Sequence, residues 1–444
     1  MSTRIVIVGG GSAGWGPKLM SDLFLTPALA DATYVLHDLN ETNLQRIARF
    51  ATKLASQMGI SPRLVTEMDP DKAYADADFV LITISTGGLD AMAHDLAIPE
   101  DYQIYHTVGD TVGPGGWART LRNVPVFQTI AQRVNSMAPN AVVLNYSNPM
   151  AQLTKTLSLH TAQPVVGLCH GLFETLGFIQ FLLDIPDEHD IQAIYGGVNH
   201  FFWITDLQIR GRDGYALLDE YLNGRSLVEA ATAVNPDLAH RVTLASELLR
   251  VTGMLTYAAD RHTSEFFSHI LTSPERMKDY NVVRTSIADR RQTLRETERE
   301  IEAMIAGEIP AEYHQRSRET AADIINAFVT GKPFVDVGNT PNMGQISNLP
   351  LGAVVETPVL VTPSGFQAVT VGELPEPTAT WLDRTVRVQE MTTDAAIDGD
   401  LDLALMALAL DPLCAHLDWK QVEELGVRLL RANAAYLPQF QGQL

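Results

Sequence analysis

RIVIVGGGSAG (Arg4–Gly14) runs an apolar, strand-like segment straight into a glycine-rich turn. Gly9, Gly11 and Gly14 stand in G-x-G-x-x-G spacing, directly after the strand-like run and at the opening of a helical one. Such a turn brings backbone amides close to a pyrophosphate and aims a helix N-terminus at its charge. Ser12 sits in the same loop and joins the candidate cofactor set. Three glycines alone say little, but Asp38 ends the next strand-like run, where a ribose hydroxyl would lie. Its carboxylate would repel a ribose phosphate, which favours NAD over NADP. The bland alternative for Asp38 is a turn or cap residue.

Outward from that turn the first third alternates strand and helix. A helical stretch is expected from about Gly14 to Ala30. ATYVLHD reads as a second strand, and NETNLQRIARFATKLASQM as a helix with Asn40 as its N-cap. DFVLITIS and AVVLNYS are further buried strands. Strands separated by helices of this length predict an α/β fold with a Rossmann-like, doubly wound parallel sheet. HTVGDTVGPGGWART interrupts the pattern and reads as a functional loop. After about residue 190 the pattern changes to strands such as DIQAIYGGVNHFFWITDLQIRG, with helices such as RRQTLRETEREIEAMIA among them. The expected organisation is a dinucleotide-binding domain over 1–190 and an α+β domain over 191–444, carrying substrate, metal and oligomer contacts.

Composition narrows the partners. A chain of 444 residues exceeds the usual size of a single core. A formal net charge of −21 disfavours nucleic acid or an anionic membrane, though not a small anionic substrate met by local arginines. Two cysteines cannot build a disulfide framework. The start of the chain lacks the pattern of a signal peptide, and no apolar run reaches the roughly 20 residues that span a bilayer. A cytoplasmic protein is the expectation.

One of the two cysteines, Cys169, lies beside His170 in VVGLCHGLFE, just after an apolar run. His200 occupies a similarly apolar setting in YGGVNHFFWI. A buried thiol, a redox group and a metal ligand are all open to Cys169, and a lone buried histidine is more often a hydrogen-bonded core residue than a ligand. Together, thiolate and imidazole would make a mixed ligand pair with positions left for substrate oxygens.

Several ordered landmarks then coincide: IVIVGGGS, NYSNPM, GLCHG, GGVNHF, DRHTSEFF, ISNLPLGAVVETP and DPLCAHLDW. Along nearly its whole length the chain resembles the NAD- and manganese-dependent glycosidases of glycoside hydrolase family 4. The resemblance implies a Rossmann-like domain followed by a mixed domain as in lactate and malate dehydrogenases. It implies Cys169 and His200 as ligands of a divalent metal, usually manganese, and a glycoside as substrate. Cys169-His170-Gly171 looks like the branch that cleaves α-galacturonides or α-glucuronides. Cys414, in an apolar helical setting, reads as core.

The reaction implied is oxidation at sugar carbon 3 by NAD, loss of the carbon 2 proton, elimination at carbon 1, addition of water and return of the hydride, a departure from the two-carboxylate route. Asp260, in the D-R-H landmark, is the first choice for the base, with pairing to Arg261 or Arg119 as its bland alternative. Tyr257 is the second choice, because Met254 and Leu255 replace the aromatic pair usual upstream of this motif. His170 suits a general acid or hydroxyl partner. Asn148 resembles the asparagine that contacts substrate near the metal, and could otherwise cap the following helix. Arg119, Arg122 and Arg261 are candidates for a substrate carboxylate. A homodimer or homotetramer is expected. The rivals are an α-galactosidase or α-glucosidase of the same family, a net NAD-dependent hydroxy-acid dehydrogenase, and a non-enzymatic NAD sensor.

Overall fold

The computed structural model describes residues 2–443. Twelve strands form one sheet: β1 Arg4–Val8, β2 Thr33–His37, β3 Arg63–Glu67, β4 Phe79–Ile82, β5 Val142–Asn145, β6 Val165–Gly167, β7 Ile191–Val198, β8 Phe201–Ile209, β9 Arg212–Asp213, β10 Phe334–Pro341, β11 Val354–Thr362 and β12 Gly365–Ala368. Their order is β3-β2-β1-β4-β5-β6-β10-β11-β7-β8-β9, with β12 on β11. The first six pair in parallel, in the 3-2-1-4-5-6 order of a doubly wound dinucleotide fold. From β6 onward the pairing is antiparallel, through Asn339 opposite Gly167 and Glu356 opposite Gly197.

Parallel strands covered by helices on both faces must be apolar throughout, and β1 alternates accordingly. Its Val6 and Val8 face one core, with Val80, Ile82 and Val143. Its Ile5 and Ile7 face the other, with Leu81 and Leu144. The first core also takes in Leu408, Leu425 and Phe440, so the end of the chain packs on its beginning. Buried Trp117 donates its indole N–H to the Ala404 carbonyl at 2.7 Å across that seam. Cys414 lies in this core, as its setting suggested. No helix among the described residues is long and apolar enough to cross a membrane.

Local departures from the expected elements have physical causes. The first helix spans only Gly16–Phe24, and a 3-10 turn follows at Pro27–Leu29. Pro27 lacks an N–H and disfavours helix at the residue before it. Edge strand β3 is half-exposed along nearly its whole length, so it lacks the apolar run that marked its neighbours. The helix Glu41–Met58 opens as expected, with the Asn40 side chain accepting from the Asn43 N–H. The largest departure is the glycine-rich segment, whose second half is the start of a helix, Gly113–Met137. Gly115 and Gly116 let the preceding loop fold against the helix: a Cβ on Gly116 would lie 2.5 Å from the Thr111 carbonyl carbon.

Candidate active site

The carboxyl ends of β1, β2 and β4 form the dinucleotide side. Gly9 has φ +88°, and a Cβ there would sit 2.6 Å from the Thr83 carbonyl oxygen, so only glycine fits. Asp38 accepts the Gly11 N–H on one oxygen and the Asn40 N–H on the other, each at 2.9 Å. It therefore fixes the glycine loop as well as closing β2, the turn role that is the alternative reading of this residue. Ser12 accepts the Trp15 N–H at 3.3 Å. Gly14 would meet nothing on gaining a Cβ; the tight helix packing falls instead to Gly16 against Ile47. No side chain caps the helix that opens at Gly16, and Leu39 stands fully exposed beside Asp38. An open helix N-terminus, a loop of glycines and small residues and an exposed apolar residue at the strand end fit a dinucleotide.

A second constellation gathers at the ends of β5 and β6 and at the β7–β8 turn. His200 occupies the two-residue turn Asn199–His200 with φ +66°, a conformation that costs a non-glycine residue roughly 1–3 kcal/mol. That turn aims the buried imidazole at Asp110, from the loop before the 113–137 helix, and at His262, from the short helix Asp260–Thr263. Ligand atoms of Asp110, His200 and His262 all lie within 4.8 Å of one another. Thr111 Oγ1 holds His200 Nδ1 at 2.8 Å, and His262 Nδ1 is buried without a partner. Burial, then the neighbouring His262, pushes the His200 pKa down to about 3, so the ring is neutral and free to ligate. Burial raises Asp110, but the groups facing it, among them the Arg119 guanidinium and the Thr111 hydroxyl, hold the carboxyl well below its ordinary range. Two imidazoles and a carboxylate suit a borderline divalent ion.

Cys169 falls outside that trio but lies beside it. Its sulfur is faced by the Gly171 N–H and by the side chain of Asn199, the residue next to His200. Burial, and then the Glu356 carboxylate, push this thiol up, so serving as a ligand requires displacing its proton. Tyr257 packs its ring on both His200 and His262, with centroids 5.7 and 5.6 Å away, and donates its hydroxyl to Glu174 at 3.0 Å. Glu174 also faces His170 at 3.5 Å and Arg241 at 3.7 Å. Burial opposes its ionisation, but these partners hold its pKa at about 2. His170 reaches Glu319 on its other side at 3.5 Å. Glu174 is the wall between two cavities. One, of about 280 Å³, is lined by His240, Arg241, Asp260, Arg261 and His262; the other, of about 400 Å³, by Lys18, His170, Phe173, Ser317, Arg318 and Glu319.

The model of the family 4 glycosyl hydrolases matches residues 4–185, and that of their C-terminal domain matches residues 195–414. The chain belongs to glycosyl hydrolase family 4. An alpha-galacturonidase of Bacillus subtilis (strain 168) is 34% identical over 95% of each chain. An alpha-galactosidase of Rhizobium meliloti (strain 1021) is 32% identical, covering 99% of this chain and 90% of its own length. A solved glucosidase structure from Bacillus subtilis superposes with a TM-score of 0.86 at 30% identity, covering 97% of this chain and 100% of that one. The 6-phospho-beta glucosidase of Thermotoga maritima, solved with manganese, NAD+ and glucose-6-phosphate, shares the fold at TM-score 0.81 and 22% identity, over 98% of this chain and 99% of that one.

Within this family 4 hydrolase the geometry sorts the remaining expected residues. Asp260 is fully buried, and its two oxygens accept the N–H groups of Leu244 at 2.6 Å and Ala245 at 3.0 Å. Burial pushes its pKa far above the ordinary carboxyl value. Its partners are thus backbone amides of the helix Ala239–Thr252, neither Arg261 nor Arg119. Arg122 is spent on Asp95 through a bidentate pair with both side chains fully buried. Arg119 gives Nε to the Asn148 carbonyl at 2.9 Å and stands beside Asp110, while the Asn148 side-chain oxygen is buried without a partner. Asn148 caps nothing, since the helix at Met150 has Pro149 before it and no side-chain cap. Arg261 gives Nη2 to Thr285 at 2.9 Å, and its Nε is buried without a partner. Asp110, Glu174 and His262 were not singled out beforehand. Asp110 sits inside the loop flagged as functional, and His262 inside the D-R-H landmark.

Proposed function

We propose that this enzyme cleaves α-linked uronides, an α-galacturonide or an α-glucuronide, with NAD and a divalent metal such as manganese as cofactors. One observation carries the choice of substrate. In a chain of net charge −21, the cavity that reaches the Asp110–His200–His262 trio at His262 is lined by His240, Arg241 and Arg261, with Glu174 and Asp260 as its acidic groups. Asp260 has its oxygens on backbone amides and Arg241 faces Glu174. Arg261, with its Nε unpartnered, is therefore the guanidinium left for a sugar carboxylate, the group guanidinium recognises best. The resemblance to an alpha-galacturonidase over nearly the full length supports the same reading. The comparably similar alpha-galactosidase makes a neutral galactoside the competing substrate.

Bound NAD would take and return the hydride at sugar carbon 3, and a metal held by His200 with Cys169, Asp110 or His262 would act as a Lewis acid on the neighbouring sugar oxygens. The chain's own residues do the rest. Tyr257 packs on the two histidines of the trio and donates its hydroxyl to Glu174. Burial, and then the Glu174 charge, push its pKa up, so it takes the carbon 2 proton only after its own proton has left, a loss that a cation at the trio would favour. Asp260, its oxygens given to backbone amides, acts by holding the helix that carries His240 and Arg241. His170, at the mouth of the larger cavity and flanked by Glu174 and Glu319, serves as acid or hydroxyl partner. Asn148 and Arg119 offer an unpaired oxygen and a guanidinium to sugar hydroxyls.

The test is a panel of nitrophenyl α-glycosides with NAD, manganese and a reductant. The α-galacturonide or α-glucuronide should turn over faster than the matching neutral or phosphorylated glycosides, with no NADH accumulating. Faster turnover of the α-galactoside would overturn the uronide assignment, and NADH formed in step with product would favour the dehydrogenase rival.

A further inference from the structure

The loop that delivers Asp110 has no regular secondary structure of its own between Ile104 and the helix at Gly113, yet its backbone is held at nearly every residue. Fully buried Glu265 does most of this. Its Oε1 accepts the consecutive N–H groups of Thr107, Val108 and Gly109, at 3.0, 2.9 and 2.8 Å, and faces His106 Nδ1 at 3.0 Å. On the other side of that ring, Nε2 accepts the Gly115 N–H at 3.0 Å. Because Nε2 is an acceptor, the imidazole is neutral and its proton is on Nδ1, donated to Glu265. The carbonyls of the loop are held from outside: Arg284 donates to His106 and Arg290 to Val108, each at 2.9 Å. The Thr107 hydroxyl donates to the carbonyl of Arg261, the residue before His262. One carboxylate thus ties the chain segment of Asp110 to the segment of His262.

We propose that Glu265, acting through His106, is a positioning residue that sets the affinity of the site for its metal by fixing Asp110 against His200 and His262. This rests on the reading of Asp110 as part of the metal site. Glu265 itself touches neither metal nor substrate. Three successive amides converging on one anion leave the backbone little freedom, and a buried anion is worth keeping only where its donors need it. Partners of this kind behind a ligand set typically govern metal affinity by about 10- to 100-fold.

The experiment uses the full-length enzyme and two readouts independent of turnover: manganese affinity from the free-ion electron paramagnetic resonance signal, and hydrogen exchange of the 104–116 amides. Glu265→Gln should weaken manganese binding by about 10- to 100-fold and speed exchange in 104–116, while leaving NAD affinity, read by fluorescence, near wild type. His106→Ala, which keeps the carboxylate, should move both readouts in the same direction by less, and it carries the test if the glutamine variant does not fold. Combining Glu265→Gln with Asp110→Asn should weaken binding little beyond Asp110→Asn alone, because both changes act on one contact. Unchanged exchange in 104–116, or losses that simply multiply, would overturn the proposal. Wild-type manganese affinity in Asp110→Asn would instead remove Asp110 from the metal site, and with it the link from Glu265 to affinity, while faster exchange in Glu265→Gln would still establish the clamp.

Discussion

In the proposed mechanism Tyr257 takes the role of base that sequence gives first to Asp260, on the strength of their surroundings. Sequence favours the aspartate because a carboxylate in a charged motif is a ready base. The fold surrounds that carboxylate with amides and buries it, while the tyrosine rests on the histidine pair with its hydroxyl toward Glu174. In heavy water, Asp260→Asn should still release sugar carrying deuterium at carbon 2, though with stability lowered by about 1–3 kcal/mol from its disturbed amide contacts. Tyr257→Phe should lose both turnover and label. Label that vanishes only in Asp260→Asn would return the base to the aspartate, and product without label from an active enzyme would remove the elimination route altogether. Cys169→Ser and His200→Ala should each abolish metal-dependent activity while far-UV circular dichroism stays native; unchanged manganese affinity in both would take them out of the site. Cys169 and His200 were legible in the sequence as polar anomalies in apolar runs. Asp110 and Glu174 were not, because an aspartate in a glycine-rich loop and a glutamate in a helix look like ordinary surface residues until the fold sets them, half-buried, against histidines.

At the scale of elements, the strand-turn-helix opening and the Asn40 cap follow from local rules, and local rules sufficed to read them. The glycine-rich segment did not yield to the same rules. Gly113, Gly115 and Gly116 look like loop residues because glycine disfavours helices by roughly 1 kcal/mol each. Their value is tertiary: Gly115 and Gly116 admit the backbone of the Asp110 loop, and Gly113 the side chains of His106 and Leu413, at distances a Cβ would not allow. The helix survives because its later turns bury Leu121, Val124, Phe127 and Ile130. Gly116→Ala would improve helix propensity yet drive a methyl into the Thr111 backbone. The net result should be destabilisation of about 1–3 kcal/mol, read by thermal melting, together with weaker manganese binding. A variant more stable than wild type, with unaltered metal affinity, would show that propensity rather than packing rules this helix start.

The molecule as a whole raises the question of whether its two halves behave as separate domains. The change of pattern near residue 190 suggests a boundary, yet the sheet runs on from β6 to β10 without a break. A single apolar core holds Val6 and Val8 from the first strand together with Leu408 and Phe440 from the last helical segments. The Trp117–Ala404 bond and the Lys155 bridges to Glu390 and Asp394 cross the same seam. Separating the halves would expose buried valines, leucines and phenylalanines at about 1.5–3 kcal/mol each, so a state with one half folded gains little by keeping it. Unfolding should therefore be one cooperative transition in calorimetry, with tryptophan fluorescence and circular dichroism changing together. NAD, which the glycine turn of the first half is proposed to hold, should raise that transition as a unit, by about 2.7 kcal/mol of stabilisation at a concentration a hundred times its dissociation constant. Two transitions, of which NAD moves only one, would establish independent domains and make the boundary near residue 190 a thermodynamic one.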